Sequence, residues 1–185
     1  MRFFIALEIP VENRKELRKV QEELKELVPE VRLTDNDKLH ITLAFIGEQP
    51  EDLKEPLIDV LNNSAKDIQP FEVKPSYIDG FPNIHRPHTI WIGVNGEIDK
   101  LLHIRERIKD GLLSLQLPVD ERRFTPHIAI AKTGNLRISA QTEELLQQLM
   151  VGNFDPIIVQ SIKLFESVPD EGFHRHNTLA EIKLV

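Results

Sequence analysis

The stretch His40-Ile41-Thr42-Leu43-Ala44-Phe45-Ile46-Gly47 returns 87 positions later as His127-Ile128-Ala129-Ile130-Ala131-Lys132-Thr133-Gly134. In an extended chain alternate side chains share a face. His40 and Thr42 therefore point one way, and Ile41 and Leu43 point into a core. In the second copy His127 and Ala129 share the front, while Ile128 and Ile130 lie behind. The same shift lays Phe3-Phe4-Ile5 on Ile90-Trp91-Ile92 and Gly47 on Gly134. This is a repeat of half a domain rather than of a solenoid unit. Two β-α-β-α-β halves related by a pseudo-twofold axis would bring His40 and His127 together across a groove.

Outward from these strands, the elements alternate. Residues 2–9, rich in β-branched and aromatic side chains and ended by Pro10, read as a strand. Leu17, Val20, Leu24 and Leu27 recur at helical spacing over 12–28, before Pro29. A strand over 39–46 is closed by Gly47. A helix from about 51 carries Leu53, Leu57, Leu61 and Ala65. Residues 71–79 are extended, and 80–88 form a loop by their Gly and Pro content. The plan then restarts with a strand over 89–94 and a helix over 97–117, whose stripe holds one polar residue, Arg105. A strand over 126–131, a helix over about 140–151 and strands over 157–166 and 178–184 complete it.

The 185 residues are 41% hydrophobic and carry a net charge of −7, with no Cys. That length suffices for a sizeable core. The missing Cys removes disulfides, thiol nucleophiles, iron–sulfur clusters and Cys-zinc sites, and fits a reducing, cytoplasmic setting. No apolar run approaches the roughly 18 residues a membrane span needs, and acidic residues enter the amino terminus too early for a secretion signal. Surplus negative charge disfavours a broad nucleic-acid footprint, though not a small phosphate-bearing ligand in a local pocket.

Two imidazoles at matching points of a repeat suit acid–base chemistry near neutral pH, one taking a proton while the other gives one. Phosphoryl transfer at a ribose 2′ or 3′ oxygen needs that pair of roles. The segments LHITLAFIGE and FTPHIAIAK resemble the paired His-x-Thr-x motifs of the 2H phosphoesterases. More narrowly, MRFFIALEIP, KLHITLAFIGE, GFPNIHRPHTIWIGV, RRFTPHIAIAK and KLFES, in order over essentially the whole chain, resemble the RNA 2′,3′-cyclic phosphodiesterases, also called 2′-5′ RNA ligases. The resemblance implies an α+β, bilobal 2H phosphoesterase fold in one domain, 1–185, with lobes formed from about 1–87 and 88–185. Two β-sheet lobes with helices outside would flank a central V-shaped groove. It implies metal-independent opening of 2′,3′-cyclic phosphate RNA termini to 2′-phosphates, with some relatives joining or cleaving 2′-5′ linkages. His40 and His127 would be the catalytic pair, His127 favoured as base and His40 as acid, and Thr42 would bind a nonbridging phosphate oxygen. No cofactor or metal is expected. The partners would be RNA ends or nucleotides bearing a cyclic phosphate, and the enzyme a monomer.

The chain departs from the family pattern at Ala129, which stands where the second motif has Thr and offers no hydroxyl. Thr125 has the strand parity of His127, but Pro126 intervenes. Lys132 follows the second motif on the opposite parity, which counts against direct phosphate contact. Arg122 and Arg123 precede it and could steer an anionic strand. His85-Arg86-Pro87-His88 and His174-Arg175-His176 are local basic spots, either holding RNA phosphates or simply solvated. Phe45, on the parity of Ile41 and Leu43, and Trp91 are expected in the core rather than stacked on a base. No zinc-like spacing and no phosphate-cradling Gly-rich loop is present. Alternatives are a 2H enzyme acting on 2′-5′ oligonucleotides or small cyclic nucleotides, and a noncatalytic nucleotide-binding module.

Overall fold

The computed structural model describes all 185 residues. Nine strands form one antiparallel sheet: β1 (Arg2–Glu8), β2 (Arg32–Leu33), β3 (His40–Glu48), β4 (Phe71–Phe81), β5 (Thr89–Gly96), β6 (His127–Lys132), β7 (Ile157–Val159), β8 (Ser161–Asp170) and β9 (Phe173–Lys183). Their order is β7-β4-β5-β6-β3-β1-β8-β9, with the short β2 also on β6. Only Gln160 separates β7 from β8, yet these strands lie toward opposite ends of that order. One residue spans only a few ångströms, so the sheet is strongly curled.

The order is symmetric about the β3–β6 junction, as the repeat implies. The two halves of the chain nevertheless do not each build one lobe. β4, from the first half, pairs with β5, and β8, from the second half, pairs with β1. Each half thus donates one strand to the other lobe. A cut near residue 87 would leave both lobes incomplete, and the expected lobe boundaries need that amendment.

Helices α1 (Val11–Leu27), α2 (Lys54–Ala65), α3 (Ile98–Ser114) and α4 (Ala140–Gln148) bury their stripes against one face of the sheet. Leu17, Val20, Leu24, Leu57, Leu61, Leu101, Ile104, Ile108, Leu112 and Leu146 belong to one cluster with Ile41, Leu43, Ile90, Ile92, Ile128 and Ile130. α1 stops at Val28 (φ −135°, ψ 78°), because the residue before a proline is driven out of the helical region. α2 and α3 approach closely at Gly111, where a Cβ would lie 2.7 Å from Val60 Cγ1. On the other face only Phe4, Ala6 and Phe165 form a small separate cluster, and that face carries the histidines.

The chain end differs from its reading. The expected strand over 157–166 divides at Gln160. β9 begins at Phe173 rather than 178, so β8 and β9 form a long hairpin reaching to the Asp170–Phe173 pair. Gly47 does not end β3 but lies within it at φ +85°, a conformation that suits glycine. No helix is long and apolar enough to cross a membrane.

Candidate active site

β3 and β6 meet at a single bridge, Ile41 opposite Ile128. One step along that antiparallel register in each direction sets His40 opposite Ala129 and Thr42 opposite His127. All four front-facing motif positions therefore share one patch at the centre of the sheet. Each aliphatic behind them is fully buried. The packing of the isoleucines thus aims the imidazoles.

Each ring is fixed from the same side. His40 Nδ1 donates to the Lys38 carbonyl at 2.7 Å, and His127 Nδ1 donates to the Thr125 carbonyl at 2.7 Å. A carbonyl can only accept, so Nδ1 carries the proton and Nε2 of the neutral ring presents its lone pair. Lys38 and Thr125 are themselves 87 apart, so the tautomer lock repeats with the motif. Thr125 thus contributes its backbone oxygen to the site. His40 Nε2 lies 3.0 Å from Thr42 Oγ1. Ala129 gives His127 no counterpart.

Aromatic rings wall both imidazoles. Phe4 lies 5.4 Å from His40 between ring centroids. Trp91, its repeat equivalent, lies 5.4 Å from His127, and Phe81 lies 4.9 Å from it edge-on. Trp91 is buried as expected, but on the groove face rather than in the core beneath the helices. Its indole Nε1 is buried without a hydrogen-bond partner. Burial lowers both histidines below the usual imidazole range, opposed in each by the backbone hydrogen bond, and the charge of His127 lowers His40 further.

Both motif strands carry a bulge at the same repeat position. Opposite β1, Ala44 pairs with Ile5 and Thr42 with Ala6, which leaves Leu43 without a partner. Opposite β5, Ala131 pairs with Ile90 and Ala129 with Trp91, leaving Ile130 extra. An extra residue reverses the alternation beyond it. Two expectations based on unbroken alternation are therefore corrected. Phe45 pairs with Phe4 on the groove face and is 61% exposed, with the Arg2 guanidinium 5.8 Å from its ring. Lys132 pairs with Thr89 on the groove-facing side and is exposed.

Several buried polar groups hold these strands. The carbonyl of the extra Ile130 accepts from Gln21 Nε2 at 3.0 Å and from the Thr34 amide at 2.9 Å. Gln21 Oε1 in turn accepts from Asn36 Nδ2 at 3.2 Å. One glutamine of α1 thereby ties the segment leading to His40 to the strand of His127. Arg105, the polar member of the α3 stripe, donates to the Asp120 carbonyl at 3.1 Å and lies 5.7 Å from the Phe124 ring, anchoring the segment that delivers His127.

The other candidates divide. Arg122 is engaged by Asp120, whose carboxyl it holds down to about 2, and Arg123 is exposed. His85 turns to α4, with Nε2 3.3 Å from Glu143 Oε2 and Nδ1 3.3 Å from the Ile138 carbonyl. The hairpin brings His176 to the site, 5.6 Å from His40 and 4.9 Å from Phe4. Burial and then the charges of His40, Lys38 and His174 lower His176 to about 4. Lys38 Nζ donates to the His174 carbonyl and lies 4.7 Å from the Phe173 ring, clasping the hairpin. Phe4 was visible in the 87-residue shift, as the partner of Trp91. His176 has no such signal, since its place depends on the β8–β9 register. No group of three or more His, Asp and Glu is arranged to hold a metal ion.

A profile of the 2′-5′ RNA ligase superfamily matches residues 32–157. The RNA 2′,3′-cyclic phosphodiesterase of Methanocaldococcus jannaschii is 31% identical, over 90% of this chain and 91% of its own length. That of Aeropyrum pernix is 26% identical, over 83% and 86%. Among solved structures, TT0787 of Thermus thermophilus superposes with a TM-score of 0.79 at 22% identity, covering 100% of this chain and 98% of its own. E. coli LigT complexed with 3′-AMP gives 0.75 at 20%, covering 99% and 97%. At these identities the structural likeness concerns the fold.

Proposed function

The chain belongs to the 2′-5′ RNA ligase superfamily, and from that premise we propose that it is an RNA 2′,3′-cyclic phosphodiesterase, one 2H phosphoesterase domain acting as a cytoplasmic monomer. The reading rests above all on two imidazoles with locked tautomers sharing one patch with Thr42. His127 Nε2, free of any hydroxyl partner, takes a proton from water as its oxygen bonds to phosphorus. The bond from phosphorus to the 3′ oxygen breaks, and protonated His40 gives that oxygen its Nε2 proton, leaving a 2′-phosphate. The hydroxyl contact argues for this division. In the neutral ring His40 Nε2 accepts from the Thr42 hydroxyl. Once His40 is protonated, its Nε2–H faces the departing oxygen and the released Thr42 hydroxyl donates to a nonbridging phosphate oxygen. With a 5′-hydroxyl end in place of water as the nucleophile, the same exchange joins RNA through a 2′-5′ linkage. Lys132 and Arg123 supply nearby positive charge for the RNA strand.

The test is turnover of a nucleoside 2′,3′-cyclic monophosphate in excess chelator by wild type, His40→Ala and His127→Ala. Each substitution is expected to lower kcat by about 10²–10⁴-fold, the usual worth of a general acid or base. Combining them should cost little more than either alone, because the pair acts as a unit. Full activity in either single variant overturns the assignment. Binding without turnover by the wild type would favour a nucleotide-binding module instead.

A further inference from the structure

Ala129 removes one phosphate ligand from the family pattern, and a different hydroxyl lies within the same sheet face. Tyr77, Gly93 and His127 stand in one row on three adjacent strands, Tyr77 paired with Gly93 and Gly93 with His127. A bulge at Ser76 lies between the Pro75–Val94 and Tyr77–Gly93 pairs. It turns Tyr77 to the groove while Ile78 enters the core beside Ile92. The phenol lies directly over Gly93. A Cβ built there would meet Tyr77 Cζ at 2.1 Å and its two Cε atoms at 2.4 and 2.6 Å. The hydroxyl-bearing end of the ring therefore lies over β5. Strands are about 4.8 Å apart, so a hydroxyl over Gly93 stands about one strand spacing from His127, its partner on β6. Trp91 steadies the phenol edge-on at 5.8 Å and itself flanks His127. The ring is half-buried.

We propose that the Tyr77 hydroxyl takes over the role vacated at Ala129, donating to a nonbridging oxygen of the phosphate held beside His127. This rests on the phosphodiesterase reading above. Gly93 is then part of the site, since any side chain there would evict the phenol.

The experiment compares wild type, Tyr77→Phe, Ala129→Thr and the double variant for kcat/KM on a nucleoside 2′,3′-cyclic monophosphate and for inhibition by the 2′-nucleotide. Tyr77→Phe keeps the ring over Gly93, so its thermal midpoint should match the wild type. Its kcat/KM should fall about 10- to 100-fold, as for loss of a hydrogen bond to a charged oxygen, with weaker inhibition by the 2′-nucleotide. In the Tyr77→Phe background Ala129→Thr should restore most of the loss. If Tyr77→Phe keeps full activity while His40→Ala and His127→Ala are impaired, this proposal fails and the phosphodiesterase reading stands. A fall that Ala129→Thr does not rescue also overturns it, as a merely structural effect of the phenol. A wild type without turnover overturns both.

Discussion

The two histidines are equivalent in everything the backbone does and different in what surrounds their Nε2 atoms. Both donate Nδ1 to a carbonyl two residues upstream at 2.7 Å, both precede a fully buried isoleucine, and both are walled by the aromatic residue of the preceding repeat strand, Phe4 or Trp91. Beyond that the lobes part. His40 has Thr42 at 3.0 Å and a third imidazole, His176, at its edge. His127 has Ala129 beside it in the motif, and Phe81 and Gly93 around it. The repeat thus preserved the device that sets tautomer and aim, which depends on main-chain geometry. The hydroxyl and the neighbouring imidazole, which depend on single side chains, differ between the lobes.

The comparison breaks first at Thr42. If the hydroxyl in the first lobe both contacts Nε2 and binds phosphate, Thr42→Val should lower kcat/KM by about 10- to 100-fold. Valine keeps the branched shape of threonine, so folding should survive and the loss should lie in chemistry. Steady-state kinetics on a nucleoside cyclic phosphate decide it. A Thr42→Val enzyme as active as wild type would mean that the first lobe needs its hydroxyl no more than the second.

A smaller effect is expected at Gln21, which links the lobes. Gln21→Leu would leave the Ile130 carbonyl with only the Thr34 amide, remove the side-chain donor to the Thr34 carbonyl and leave Asn36 Nδ2 with the Arg14 carbonyl alone. Loss of partners for buried polar groups costs about 1–3 kcal/mol, so the urea midpoint should fall by the corresponding amount with an unchanged slope. Because the Asn36–Lys38 turn ends two residues before His40 and Ile130 lies three residues beyond His127, activity should fall with stability. A variant as stable as wild type would show that the β-ladder alone holds the motifs in register.

What could be read in the sequence was whatever repeats or alternates. The 87-residue shift located both histidines and the strands around them, and it paired Phe4 with Trp91 without placing either on the groove face. Leu17, Val20 and Leu24 announced α1, and Arg105 stood out as the polar interruption of α3. The failures have one physical origin: features set by pairing between distant strands. The bulges at Leu43 and Ile130 reverse parity, so Phe45 and Lys132 were assigned to the wrong face. The exchange of β4 and β8 between lobes leaves no mark in composition or period. His176 enters the site only because Ser167 pairs with it across the β8–β9 hairpin, which no local pattern encodes.

That third imidazole is the smallest and most specific difference between the lobes, and pH exposes it. The folded protein holds His176 near about 4, below the 6.5 of a free imidazole, while the unfolded chain binds its proton normally. Between those values the unfolded state holds more protons, so stability falls as the pH is lowered. The contribution is complete above about 6.5 and is lost progressively toward about 4. His40 and His127, also lowered by burial, act in the same direction. His176→Phe keeps an aromatic ring against Phe4 and His40 and removes one of these titrations. Urea unfolding at about pH 8 and about pH 5 should therefore show a loss of stability on acidification in wild type and a smaller loss in His176→Phe. Equal losses would mean that the hairpin leaves His176 free to protonate as in solution. The neighbouring imidazole would then add no pH dependence of its own to the first lobe.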